Sequence, residues 1–65
     1  MADFTISLRA ARINAGYSKK EVADVLGVSL GSINNWENGR TEITANALSV
    51  LADLYKIPIG YFRLP

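Results

Sequence analysis

Cysteine and histidine are both absent from these 65 residues. Without cysteine there is no disulfide and no thiol nucleophile, and without either residue the usual zinc ligand sets are excluded, so no metal site and no cofactor is implied. Long apolar runs are missing too: nothing approaches the roughly 18 residues of a membrane span, and the opening Met-Ala-Asp-Phe does not resemble a secretory signal. The initial Met reads as a natural start, and the expected compartment is cytoplasmic. Charge of one sign is scarce, with seven basic residues against six acidic ones for a formal net charge of +1. That balance excludes a surface that holds polyanions by sheer excess charge, so any phosphate contact must depend on where the cations sit. No paired carboxylates and no Ser-Lys arrangement stand out, and the chain offers no constellation for catalysis.

What is present suffices for one small domain. Forty-nine per cent of the residues are apolar, enough for a packed core and too many for a disordered chain. A chain this short buries only about 60% of its unfolded surface, and with no covalent staple the core must hold by packing alone. No linker, repeat or low-complexity segment interrupts it. The apolar period is helical throughout and no strand signal is found, which predicts an all-α fold.

The stretch from Ser18 to Gly39, SKKEVADVLGVSLGSINNWENG, carries the densest information. Ser18 followed by Glu21 is a capping box, the hydroxyl accepting from the amide of Glu21 and the carboxylate accepting from the amide of Ser18. Val22 and Leu26 then lie one turn apart, and Ala23 beside them is small enough to admit a close second helix. Gly27 takes the left-handed C-terminal cap, Val28 plugs the turn, and Ser29 caps the next helix, in which Ile33 and Trp36 face Val22, Ala23 and Leu26. Asn38-Gly39 closes it. The reading is two short helices joined by a fixed turn, over residues 19–38.

The flanks extend the pattern. A first helix is predicted from Thr5, as N-cap, to Ala15, closed by Gly16, with Leu8, Ala11, Arg12 and Ala15 on one face. A fourth runs from about Ala45 to Tyr55 after a cap at Thr44, with Leu48, Leu51, Ala52 and Tyr55 in helical register and Lys56 at its end. Pro58 opens a last, fifth helical turn containing Ile59 and Phe62.

Together, Ala23, Gly27, Val28, Ile33 and Trp36-Glu37-Asn38-Gly39 resemble the lambda-repressor-like helix-turn-helix domains of XRE, Cro and phage-repressor type. Leu8-Arg9, Arg12 and Ala15-Gly16 resemble that family's first helix, and Leu48, Leu51, Ala52, Ile57, Ile59 and Phe62 its fourth and fifth, so the likeness covers about residues 5–62 as a single five-helix domain. The resemblance implies a sequence-specific transcriptional regulator, of repressor type, that binds double-stranded DNA with its third helix in the major groove. An antitoxin or protein-interaction module built on the same fold is the alternative.

On a helical wheel Ile33 and Trp36 mark the buried side of the third helix, and the opposite arc carries Gly31 and Asn35 with Ser32 and Asn34 at its borders. The resemblance maps base reading onto Leu30, Gly31, Ser32 and Asn35, and Asn34 at the border of the arc joins them as a candidate reader. Asn35 can pair in bidentate fashion with adenine, Ser32 can reach a base or phosphate, and Leu30 can pack on a thymine methyl. Gly31 stands where many relatives carry a longer polar residue, which shifts weight toward DNA shape. The resemblance assigns phosphate contact to Ser18, Lys19, Asn38 and Arg40, and Lys20 joins Lys19 at the positive end of the second helix as a further candidate. The resemblance also implies an ion pair between Arg12 and Glu37 that ties the first helix to the third. Ile59, Tyr61, Phe62 and Leu64 give more apolar area than one helical turn can hide, and a homodimer interface is expected there, matched by a pseudo-palindromic operator. Tyr17 is expected to pack its ring beyond the first helix, and Trp36 to belong to the core.

Overall fold

The computed structural model describes residues 4–65. Four α-helices, α1 (Leu8–Ala15), α2 (Lys19–Leu26), α3 (Leu30–Asn38) and α4 (Ala45–Tyr55), are followed by one 3-10 turn at Ile59–Tyr61. Each helix starts for the same local reason. Ser7, Ser18, Ser29 and Thr44 hold extended backbone angles, and each hydroxyl accepts from the amide three residues on, satisfying one of the donors that a helix start leaves unpaired. At Ser18 the box is complete, with Glu21 Oε1 accepting from the Ser18 amide at 2.8 Å.

The helices also stop for a shared reason. Gly16, Gly27 and Gly39 cap α1, α2 and α3 in the left-handed region. At Gly27 (φ 70°) the amide reaches back to the carbonyls of Ala23 and Asp24, a geometry that a Cβ would penalise. The fourth cap breaks the pattern: Lys56 adopts φ 59° with a full side chain.

Leu8 and Ala11 of α1, Val22 and Ala23 of α2, Ile33 of α3, and Leu51 and Tyr55 of α4 form the buried centre. Ala11 and Ala23 permit close helix approach, and α2 packs most extensively on α3. Ile6, Tyr17, Leu26, Val28, Trp36, Ile43, Leu48, Leu54, Ile57 and Phe62 close the cluster as half-buried walls. The Tyr17 ring lies 6.1 Å from that of Tyr55, placing it beyond α1.

Four expectations need correction. The first helix begins at Leu8 and not near Thr5, because Ser7 supplies the cap and Ile6–Ser7 is a short strand. That strand, β1, pairs in parallel with β2 (Phe62–Arg63), Ile6 against Phe62 and Ser7 against Arg63, so the molecule is not free of strand. The fifth helix reduces to the 3-10 turn: one turn does not repay helix nucleation, Gly60 at its centre disfavours helix, and an extended Phe62 gains backbone partners on β1 while its ring packs on the core. Ala15, finally, is exposed, since α1 ends before its face meets another element.

Candidate nucleic-acid interface

Helix α3 is fixed at both ends and along its inner face. Ser29 Oγ accepts from the Ser32 amide at 3.1 Å and lies 3.2 Å from Ser32 Oγ, so the Ser32 hydroxyl shares the cap. Ile33 is buried at 2% exposure and Trp36 packs against the core. Near the other end, Glu37 meets Arg12 in a two-pronged ion pair, Nε to Oε2 at 2.8 Å and Nη2 to Oε1 at 3.3 Å. Arg12 Nη1 donates to the carbonyl of Tyr17 at 3.0 Å. One guanidinium thus joins α1, the turn before α2, and α3. Its side chain is 8% exposed and that of Glu37 5%, so water cannot substitute for either partner.

Tyr55 belongs to this cluster. Burial pushes its phenol up to about 12, the Glu37 charge pushes the same way, and Arg12 partly offsets both.

The outward side of α3 carries the residues proposed to read bases. Leu30 is 49% exposed, Gly31 is exposed, and Ser32, Asn34 and Asn35 are half-buried on the neighbouring arc. A Cβ on Gly31 would meet nothing closer than Ser29 Oγ at 3.7 Å, so packing within the domain does not demand glycine there. Among the phosphate candidates, Ser18 is committed to its capping box and Lys20 lies 3.5 Å from Asp24 in an exposed pair one turn away. Asn38, the last residue of α3, and Arg40, just beyond its cap, are exposed, the Arg40 amide being held by the Asn35 carbonyl at 2.9 Å.

Lys19 makes a contact that no local pattern of residues signals. Its ammonium donates to Asn34 Oδ1 at 2.6 Å across the α2–α3 junction, joining a phosphate candidate to a base-reading candidate. The two residues are 15 apart, too far for any helical spacing to have paired them. Of the apolar residues expected at a dimer contact, Phe62 is packed on the core and Tyr61 stacks edge-on against Phe4 with ring centroids 5.8 Å apart, whereas Ile59 and Leu64 stay exposed.

A helix-turn-helix family model matches residues 8–62, which is α1 through the first residue of β2. The chain belongs to the lambda-repressor-like helix-turn-helix family. This helix-turn-helix domain is also similar to the transcriptional regulator ClgR of two Mycobacterium tuberculosis strains, CDC 1551/Oshkosh and ATCC 25618/H37Rv, at 36% identity over 53 residues in each case. Those matches take in 82% of this helix-turn-helix chain but 47% of the relatives, so it spans about half the length of the curated proteins it matches. No solved structure matches it at a significant level.

Proposed function

We propose that this helix-turn-helix domain binds duplex DNA in a sequence-specific manner, with α3 in the major groove, as the DNA-binding part of a transcriptional regulator of repressor type. The observation that carries the reading is the division of α3 into two sides. Its inner side is locked by Ile33 and the buried Arg12–Glu37 pair, while its outer side presents Leu30, Gly31, Ser32, Asn34 and Asn35 next to the exposed start of α2. A rigid element bearing small polar side chains is what groove reading requires, because misplaced donors lose the bidentate geometry that distinguishes bases. Backbone anchoring falls to Ser18, Lys19, Lys20, Asn38 and Arg40. Three of these are cations in a domain whose overall charge is only +1, so in this reading local placement and not net charge supplies the field.

The working form in this reading is a homodimer joined through residues 57–64, where Ile59 and Leu64 are 50% and 45% exposed. Two-fold symmetry then sets the recognition helices about 34 Å apart on a pseudo-palindromic operator. The expected compartment is the cytoplasm; no helix among the described residues is long and apolar enough to cross a membrane.

A protein-interaction or antitoxin role is the second reading, favoured by the exposed apolar residues Ile13, Val25 and Ile59. Binding to random duplex DNA across a salt series separates the two. A DNA-binding domain loses affinity steeply as salt rises, and a log-log slope near zero rejects the DNA reading. Selection of preferred sites from random duplexes then gives half-site and spacing together, and a single unrepeated half-site bound at full affinity by a monomer rejects the dimer.

A further inference from the structure

We infer that Lys19 biases Asn34 toward reading as a hydrogen-bond donor, so that the adjacent asparagines of α3 present different chemistry to DNA. The inference rests on the DNA-binding reading and adds a specificity rule to it. An ammonium has three donors and no acceptor, so at 2.6 Å it can engage only the amide oxygen of Asn34; turning the amide over would set its NH2 against another donor. The orientation is therefore set by the chemistry of the partner. With one lone pair of the oxygen taken and a positive charge beside it, the oxygen is the weaker acceptor for a ligand, while the amide nitrogen has no hydrogen-bond partner among the described residues. Asn35, one residue on, has no such tether on its side chain among the described residues and keeps both its donor and its acceptor available.

The two amides consequently select differently. An untethered asparagine matches adenine, accepting from N6 and donating to N7 in one bidentate pair. An amide whose oxygen is shared with an ammonium completes that pair less well. It pairs best with acceptors, above all with guanine, which offers N7 and O6, and worst with cytosine, whose major-groove group is the N4 donor. The base facing Asn34 should accordingly favour guanine and disfavour cytosine, while the base facing Asn35 favours adenine. Lys19 acts here as a positioning residue: it sets which half of another side chain is exposed.

Site selection from random duplexes with the intact chain and three variants tests this. The unaltered protein should deplete cytosine about tenfold at one half-site position. Lys19→Met keeps the aliphatic stem and removes the ammonium, and should move that position toward adenine as the Asn34 oxygen regains its full acceptor strength. Asn34→Asp, an acceptor-only group, should move the same position toward cytosine. Asn35→Ala should relax a different position and leave this one alone. If Lys19→Met and Asn34→Asp leave base preferences unchanged while Asn35→Ala relaxes one, the inference fails and the DNA reading stands. If the unaltered protein selects no sequence above random, the DNA reading itself fails. The tether is also measurable without DNA: in heteronuclear NMR spectra of the free protein, the Asn34 side-chain amide signals should shift in Lys19→Met while the backbone spectrum stays folded. Unmoved Asn34 signals overturn the inference whatever the DNA result.

Discussion

Arg12 and Glu37 are costly to separate, because burial leaves neither charge the option of resolvation. Replacing Glu37 by Ala leaves a guanidinium with only the Tyr17 carbonyl for company, at an expected cost of about 3 to 5 kcal/mol. In a domain of this size about 1 kcal/mol moves the melting temperature by roughly 4–8 °C, so Glu37→Ala should be largely unfolded at 37 °C by circular dichroism. The double change Arg12→Met with Glu37→Leu should recover most of the loss, since a packed apolar pair carries no unpaired charge; a double variant as unstable as the single one would refute this account. Tyr55 adds a pH signature. Its phenol titrates near 10 in the unfolded chain and is pushed up to about 12 in the fold, so the unfolded state releases its proton first. Stability from this group is complete below pH 10 and declines as pH rises toward 12. Denaturant midpoints should fall over that window and fall less in Tyr55→Phe. Gly31 separates folding from reading: Ala there has room and should stabilise the free domain by up to about 1 kcal/mol, while weakening specific DNA binding if the backbone approaches the groove edge. Calorimetry and titration on the same sample would show the two effects parting.

Among the elements, what was legible in the sequence was whatever is decided within four residues. The capping box at Ser18, the caps at Ser29 and Thr44, the glycine stops and the span of α4 are all local hydrogen-bonding arrangements, and the pattern of residue types determines them. The misread parts are non-local. Thr5 and Ser7 are both capping types, Ser the better of the two; the choice falls to Ser7, with Ile6 before it drawn into pairing with Phe62, 56 positions away. A two-residue strand has no periodicity to detect. The same pairing ended the expected fifth helix, and the Lys19–Asn34 contact was hidden for the same reason. On the functional side, Ile33 and Trp36 fix the inner side of α3 and Gly31 lies exposed opposite them as the wheel has it, but Asn35, expected on the same exposed arc, is half-buried, and the amide orientation of Asn34 was not legible. One element carries correctable strain. Lys56 ends α4 at φ 59°, where glycine avoids the steric penalty, so Lys56→Gly should raise stability by about 1 kcal/mol. An unchanged melting temperature would mean that the lost lysine stem contributed as much as the strain cost.

At the scale of the whole molecule, nearly balanced charge and a patterned surface lead to a quantitative expectation. Lys19, Lys20 and Arg40 are the three cations assigned to phosphate, and if each displaces one counterion the log-log salt slope should be about −3 per protomer. Arg40→Ala should flatten it by about one unit; a slope untouched by all three alanine substitutions would move the phosphate contacts elsewhere. Ile59→Asp should leave the fold intact, since the residue is exposed, yet abolish dimers in sedimentation and lower affinity for a two-half-site operator.

The parallel pairing of Ile6 with Phe62 also has a kinetic meaning. It closes a loop of nearly the entire chain, so its entropic cost is met only after α1 to α4 have drawn the ends together. The helices can assemble through short-range contacts, with the ribbon as the final fastening in folding and the first to release in partial opening. Amide protons of the ribbon should therefore exchange with solvent through small local fluctuations, while those of Val22, Ala23 and Ile33 wait for global unfolding.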